Sequence, residues 1–476
     1  MNRIKNVFRR HKTALLMGLL RWGIYCVLAI IFFGLMSINN WQIRHMSRTL
    51  ATMLLTYMAM SAAMHAVYGG YAVGKKKSKP IISSMSLATL GTDVVTYFQL
   101  QIMNVNENMN DYLSLFGRDF PWLIVCMIVQ VIVITFWVRL GNNFYFTINP
   151  PRKCLVILGD PAEKENICQK IGVYKLQWTV SRVIMWNDPR VTKAIRRAEV
   201  VFMGALPSQA KLDLLRTCYE LHKDVLCKAQ LQDIMLSNAS QVVVDDEPFL
   251  EMVYRKMTLG QRIIKRLMDI GASLLVLVVG SPVLGLIALC IKTEDHGPVL
   301  FRQKRMTVGG KQFSICKFRT MKVSACGNGA QVSAAKNDSR ITRVGAILRR
   351  TRMDELPQFW NILKGDMTLV GPRPEMMENV EKYKLQLPAF AYREKMKAGL
   401  TGYAQIEGRY NTTAEDKLML DLMYIESFSI WVDVKLIFRT MTVFFKRDST
   451  EGFDMSQVQD DTQPYTHETD EKEIIA

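Results

Sequence analysis

The sequence predicts a three-part chain: a bundle of four membrane-spanning helices, a doubly wound α/β domain, and a C-terminal part held to the bilayer by a re-entrant helix hairpin. Three observations predict it. Four long apolar runs fall within the first third of the 476 residues. Short apolar strands then alternate with helices from Lys153 to about Val253. A fifth apolar stretch, residues 270–291, is interrupted near its centre by Ser281-Pro282 and is basic at both ends.

The opening MNRIKNVFRRHK is basic and leads into an apolar run that ends near Ile38. No small-residue cleavage site follows, so the run reads as a retained helix and not a signal peptide. Further runs cover about 50–73, 81–102 and 122–138. Each can cross a hydrocarbon core of about 30 Å at about 1.5 Å per residue. The basic N-terminus, the cluster Lys75-Lys76-Lys77-Ser78-Lys79 and segment 139–153 predict cytoplasmic ends, with the more acidic loop 104–119 outside. Arg44 and Arg48 fall on the outer side, against that trend. Asp93 lies inside the third run. A charge at mid-bilayer costs about 3 kcal/mol, so Asp93 should face the bundle interior or lie near an interface. The four-helix transmembrane domain is assigned to 1–148.

Within 149–255, KCLVILGD, VYKLQWTV, EVVFMGAL and DVLCKAQ read as strands, with PSQAKLDLLRTCYELHK among the helices between them. Such alternation gives a parallel sheet covered on both faces, a Rossmann-like domain. Its first turn, Gly159-Asp160-Pro161, lacks the GxGxxG that lets a pyrophosphate approach the backbone. A structural or regulatory domain without nucleotide is expected.

In the fifth stretch an interior Pro costs a helix about 3 kcal/mol and kinks it. Each arm of about ten residues makes roughly 15 Å of helix, half a bilayer. With Lys265-Arg266 at one end and Lys292 at the other, both ends suit one membrane face. The expected element is a re-entrant hairpin, 265–292, with Ser281 and Pro282 at the bend. The alternative is a kinked spanning helix, which would put everything after it outside. Near the end, DVKLIFRTMTVFFKR (433–447) reads as a core or an interfacial helix, with the interfacial reading preferred. The tail 448–476 is acidic and expected to be disordered.

The net charge is +18, and the tail holds nine acids and one Lys, so the rest of the chain is more basic still. That balance suits anionic lipid, phosphorylated substrates or nucleic acid. The apolar runs favour the first two and argue against nucleic acid. Nine cysteines with no CxxC spacing indicate neither a disulfide framework nor a zinc site.

The stretch 351–375, TRMDELPQFWNILKGDMTLVGPRPE, carries the chemistry. Asp354 and Glu355 sit directly before Leu356-Pro357. Pro disfavours helix in the residue before it and suits a first helical position, which predicts a short helix from Pro357 to Lys364 that stops at Gly365. Arg349, Arg350 and Arg352 precede the pair, and Pro372-Arg373-Pro374 follows. Two carboxylates among fixed cations suit a divalent metal and phosphate groups. Thr351 with Asp354 also reads as a capping box, and acids in a first turn as partners of the helix dipole.

This stretch resembles the signature of the bacterial sugar transferases, the polyprenyl-phosphate hexose-1-phosphate transferases or monotopic phosphoglycosyl transferases. Supporting blocks are FRQKRMTVGGKQFSICKFRTM (301–321), NDSRITRVGAILRRT (337–351) and AGLTGYAQIEGRYNTTAEDKLMLDLMYIESFSIWVDVKLI (398–437). The resemblance covers about 263–447. It departs from the family at Met306-Thr307, where an apolar residue and Gly are usual, and this bears on the local turn. The resemblance implies a monotopic α/β catalytic domain, 256–447, at the cytoplasmic face of a bacterial inner membrane. It agrees with a membrane bundle and nucleotide-fold-like domain ahead of the transferase, and admits a homodimer.

The resemblance also implies a reaction. Asp354 would attack the β-phosphate of a UDP-sugar and release UMP, and polyprenyl phosphate would then take the phosphosugar from the enzyme. Glu355 would be the Mg²⁺ partner or the general base, the metal set being Asp354 and Glu355. Arg373 would hold a phosphate, unless it bonds a helix C-terminus, and Arg349 would orient or neutralise the dyad. Lys317 and Arg409 are further candidates for phosphate or sugar contacts. The expected role is the start of an exopolysaccharide, capsule or related glycan. Direct glycosyl transfer releasing UDP, or an inactive scaffold of a polysaccharide export complex, are the alternatives. The identity of the sugar is not legible.

Overall fold

A computed structural model describes residues 2–107, 119–252, 257–322, 340–408 and 413–443. Arg409, the tail 448–476 and the last residues of the predicted C-terminal helix, 444–447, lie outside the described residues. Contacts divide the chain into two compact units that meet between Gln230 and Leu231.

The first unit begins with α1 (Asn2–Met36), α2 (Arg48–Tyr68), α3 (Ser78–Glu107) and α4 (Phe120–Ile148). Four helical segments here, Leu16–Met36, Arg48–Tyr68, Ser78–Met103 and Phe120–Ile148, are long and apolar enough to cross a membrane. Ser47 caps α2 by accepting from Leu50 N at 3.0 Å, and Pro121 opens α4, where its missing N–H is no loss. Asp93 is fully buried and accepts from Gln130 Nε2 at 3.4 Å, facing the bundle interior. Arg44, which defied the charge asymmetry, holds the turn that follows α1: its guanidinium donates to the Ser37 and Ile38 carbonyls, both at 2.7 Å.

The same unit continues into β1 (Arg152–Leu158), α5 (Glu163–Gly172), β2 (Trp178–Met185), α6 (Val191–Arg197), β3 (Val200–Met203), α7 (Ser208–Glu220) and β4 (Asp224–Cys227). The strands form one parallel sheet, order β2-β1-β3-β4. The second strand starts at Trp178, five residues later than VYKLQWTV suggests, because Val173 caps α5 and a turn through Tyr174 and Gln177 follows. At the carboxyl ends of the strands, Glu163, the first residue of α5, bridges two loops. One carboxylate oxygen accepts from Ala205 N at 3.1 Å, and the other pairs with Lys228 Nζ at 2.7 Å.

The second unit starts earlier than expected. Residues 231–252, read from sequence as the end of the α/β domain, belong with the C-terminal body, because Ile234 of α8 (Leu231–Leu236) is buried against Val380, Phe390, Leu418 and Leu422. An antiparallel ribbon, β5 (Ser240–Val244) and β6 (Glu247–Glu251), follows. Then come α9 (Leu259–Leu274), α10 (Ser281–Asp295), the antiparallel pair β7 (Leu300–Met306) and β8 (Gln312–Phe318), α11 (Arg343–Thr351), α12 (Gln358–Lys364) and β9 (Thr368–Val370). The unit closes with α13 (Met377–Gln386), β10 (Gly399–Thr401, parallel to β9), α14 (Tyr403–Glu407), α15 (Ala414–Glu426) and α16 (Ile430–Val443).

Between α9 and α10 the helix loosens into a π turn over Leu275–Val279 and bends by 61°. Pro282 cannot donate to the Val278 carbonyl four residues back; the Ser281 hydroxyl does so instead, at 2.7 Å. The bent pair, Leu259–Val279 and Ser281–Asp295, is longer than the predicted 265–292. The excess is residues 259–264, a mostly exposed first turn and a half of α9, and residues 293–295 at the end of α10, while the part of α9 from Lys265 onward is built into the body. Lys265 and Arg266, taken from sequence for membrane-flanking charges, are structural. Buried Lys265 donates to Val370 O (2.9 Å) and Tyr424 OH (3.2 Å) and pairs with Asp433 at 2.5 Å. Asp269 accepts from Thr368 Oγ1 (3.0 Å) and Leu369 N (2.8 Å). Around the bend Leu275, Val278, Val279, Val283 and Leu286 are exposed. In α16, Asp433 and Leu436 enter the core while Trp431 and Met441 stay exposed, so the core reading holds for one face.

The turn after β9 depends on a close backbone approach. A Cβ on Gly371 would lie 2.3 Å from the Lys397 carbonyl oxygen. Gly371→Ala should therefore destabilise the second unit by about 1–3 kcal/mol, as overpacking does. Gly271→Ala, where nothing lies within 4 Å of the added carbon, should not. Thermal unfolding of the two variants in one detergent checks the contrast.

Candidate active site

The dyad lies on a single 3₁₀ turn, Met353–Glu355, that links α11 to α12. Arg352 ends α11 in a left-handed conformation (φ 58°), which reverses the chain and aims the turn back toward β8. Pro357 then stands at the N-cap of α12, and Gly365 ends the helix, as the sequence predicts. The capping-box alternative fails. Thr351 is the last residue of α11 and its hydroxyl donates backward to Ile347 O at 2.9 Å, while α12 has no side-chain cap. Both carboxylates are thus left for other partners.

Lys317, near the end of β8, is the direct one: its Nζ lies 3.1 Å from Glu355 Oε1. Arg349 sits on the last turn of α11 and donates from Nε to Thr320 Oγ1 at 2.8 Å, which fixes it beside the dyad without an ion pair to it. Thr320 can reach Arg349 because Gly345 lets α11 lie against its backbone; a Cβ there would come within 2.2 Å of Thr320 O.

Burial and the neighbouring Glu355 push the Asp354 carboxyl up to about 6, against the pull of Lys317, Arg349 and Arg352. Burial also pushes Glu355 upward, but Lys317, Arg373 and Arg352 together outweigh it and hold Glu355 down at about 2. One carboxylate is thus firmly ionised and the other titrates near neutrality. Among the described residues no group of three His, Cys, Asp or Glu could cage a metal. Asp354 and Glu355 supply two carboxylates, which fits Mg²⁺ only with substrate phosphates completing its shell.

Arg373 is placed by residues that local sequence patterns do not reveal. Its carbonyl accepts from Arg393 Nη2 at 2.7 Å, and Arg393 is itself buried and paired with Asp421 at 2.6 Å. Burial raises Asp421 to about 6 against the pull of Arg393. Glu375, beside the turn, pairs with Lys417 at 3.4 Å, and Arg305 donates to Pro374 O at 3.3 Å. The side chain of Arg373 lines a small recess with Pro372, Glu375, Phe390 and Arg393, and does not serve a helix C-terminus; Arg266 does that, donating to Ile362 O and Leu363 O of α12. The unusual Met306-Thr307 leads into a normal turn, in which the Thr307 hydroxyl donates to Asp366 O and accepts from Ala398 N, both at 3.1 Å.

The arrangement therefore gathers Asp354, Glu355 and Lys317 in contact, holds Arg349 and Arg373 close enough to bias the dyad, and puts Ser281 and Pro282 at the helix bend. Arg393, Asp421, Glu375 and Arg266 are additions from the structure. Their partners lie tens of residues away in sequence, so no spacing signals them.

A family model described as bacterial sugar transferase matches residues 260–447. An Aeromonas hydrophila UDP-N-acetylgalactosamine-undecaprenyl-phosphate N-acetylgalactosaminephosphotransferase is 43% identical over 181 residues, 37% of this chain and 43% of that protein. A Caulobacter vibrioides UDP-glucose:undecaprenyl-phosphate glucose-1-phosphate transferase is 42% identical over 190 residues, covering 39% and 71%. A Rhizobium leguminosarum exopolysaccharide production protein is 41% identical over 187 residues, covering 38% and 94%. The Aeromonas protein and two further relatives are longer outside the match, and the chain spans only about 39–43% of their length.

Because Lys317 lowers both carboxyls, Lys317→Met should raise both titration midpoints. Carboxyl ¹³C NMR of Asp- and Glu-labelled protein checks this: the upper midpoint should move above about 6 and the lower one above about 2. Unchanged midpoints would mean that the ion pair is not formed.

Proposed function

The chain belongs to the bacterial sugar transferase family, and from that membership we propose that it transfers a hexose-1-phosphate from a UDP-sugar to polyprenyl phosphate. The observation that carries the reading is the split dyad, with Asp354 raised to about 6 and Glu355 held at about 2 among Lys317, Arg349, Arg352 and Arg373. An ionised Asp354 oxygen attacks the β-phosphorus. The bond from that phosphorus to the oxygen bridging the α-phosphorus breaks, and UMP leaves with the electron pair. The phosphosugar is then an acyl phosphate on Asp354. An oxygen of polyprenyl phosphate attacks the same phosphorus, giving the polyprenyl diphosphate sugar and restoring the carboxylate.

Both reactants are anions, and their repulsion is the barrier the site has to lower. Arg373 binds a donor phosphate at its recess. Lys317 keeps Glu355 ionised, and Arg349 offsets the charge of the pair. Mg²⁺, held by Asp354 and Glu355 together with the donor's phosphates, would neutralise charge on the diphosphate and on departing UMP. Glu355, ionised throughout the working range, acts as the metal ligand more readily than as a base.

The bent helix pair enters and leaves the membrane on the cytoplasmic side. Support comes from its two arms, since α9 is bonded into the body through Lys265, Arg266 and Asp269 and α10 through Ile287, Ile291 and Asp295. Only the apolar bend is left to lipid. In this reading the soluble donor and the lipid acceptor meet at the inner membrane surface, and the product starts a surface or secreted glycan. The relatives are named for different sugars, N-acetylgalactosamine in one and glucose in another, so the sugar is left as a hexose.

The test uses the purified chain with UDP-sugars, Mg²⁺ and undecaprenyl phosphate. UMP, not UDP, should be released, and Asp354→Asn should reduce release to background; persistence of release in that variant overturns the nucleophile. EDTA should stop turnover and added Mg²⁺ restore it. Since the nucleophile must be ionised and its carboxyl is raised to about 6, kcat/KM should fall about tenfold per pH unit below that value.

A further inference from the structure

The dyad turn hangs between two short helices, and each is gripped at its far end by a different arm of the bent helix pair. On one side the Arg266 guanidinium of α9 donates to Ile362 O (2.8 Å) and Leu363 O (2.7 Å), the C-terminal carbonyls of α12. It also covers Gly365, with guanidinium atoms 3.6 Å from where a Cβ would sit. On the other side the Glu294 carboxylate of α10 accepts from Arg343 N (2.7 Å) and Val344 N (3.2 Å), the first amides of α11. Asp295 next to it pairs with buried Arg319, which also donates to Pro298 O at 2.6 Å, locking the end of that arm to the strand carrying Lys317.

We infer that Arg266 and Glu294 are positioning residues through which the membrane-inserted helix pair sets the geometry of Asp354 and Glu355. Helices of nine and seven residues are rigid rods of roughly 14 and 10 Å. A shift at either clamped end therefore reaches the turn between them, where only Arg352 to Pro357 intervene. Neither clamp touches the dyad or the recess beside Arg373, so neither should alter how substrate is held in the ground state. Loss of either should instead reduce the fraction of bound substrate that meets a correctly placed nucleophile. Displacements of about 1 Å at such a site cost roughly a hundredfold.

This inference rests on the proposed transferase activity, and its test separates the two. UMP release by wild type and none by Asp354→Asn establishes the activity first; if wild type is inert with every donor tried, the functional reading falls. Arg266→Gln and Glu294→Ala are then assayed in lipid nanodiscs, with size-exclusion elution and melting temperature recorded. The expected result is a kcat at least about tenfold lower, with KM for the UDP-sugar within about threefold of wild type. Arg266→Lys, which keeps one donor, and Glu294→Gln, which keeps one acceptor, should recover part of the loss. A kcat within about twofold of wild type in either truncating variant overturns the clamp, as does a rise in KM that accounts for the whole effect. If a truncating variant fails to fold, its conservative partner decides: reduced kcat at unchanged KM and melting temperature upholds the proposal, and wild-type kcat overturns it.

Discussion

Two adjacent carboxylates can sit among packed side chains only if cations are brought to them, and the second unit of this protein is built around that requirement. Lys317 reaches Glu355 from the end of a strand, and Arg349 and Arg352 come from the helix just before the pair. Arg373 comes from a turn held rigid by its own carbonyl bond to Arg393. The result is asymmetric. Desolvation alone would raise both carboxyls, but the cations favour Glu355, so the charge the site can support is concentrated there and Asp354 stays close to neutrality in its titration. A carboxylate with a raised pKa is more basic once it is ionised.

Much of this was legible from sequence where the cause is local and covalent. Pro282 lacks an N–H wherever it is put, so a bend at Ser281-Pro282 followed, and the Ser hydroxyl at the vacated carbonyl completes the reason for that dipeptide. Pro357 and Gly365 bracket a helix for equally local reasons, and the four apolar runs needed only length and hydropathy. What escaped were bonds between distant residues. Lys265 and Arg266 look like charges flanking a membrane segment, yet one is buried against Asp433, 168 positions on, and the other bonds α12, 96 and 97 positions on. Arg393 and Asp421 carry no local pattern at all. The start of β2 was misplaced because Val173 and Tyr174 are apolar enough for a strand but are used in a helix cap and turn.

The buried ion pair Lys265–Asp433 shows how the bent helix pair and the body of the second unit are made into one piece. Breaking one partner of such a pair leaves an uncompensated charge, a cost of about 3–5 kcal/mol, so the contact is well suited to enforcing a single arrangement of α9 against α16 and β9. Tyr424 and the Val370 carbonyl complete its coordination, and Val370 is the residue before the Gly371-Pro372-Arg373 turn. The bent helix pair and the turn that carries Arg373 therefore share a support.

The Glu163 carboxylate in the central α/β domain has a different consequence. Seated on Ala205 N and Lys228, it is a carboxylate satisfied from two strands of its own sheet. Those two contacts tie the first residue of α5 to the turn after β3 and to the residue after β4, so three successive crossovers of the sheet are fastened by one side chain.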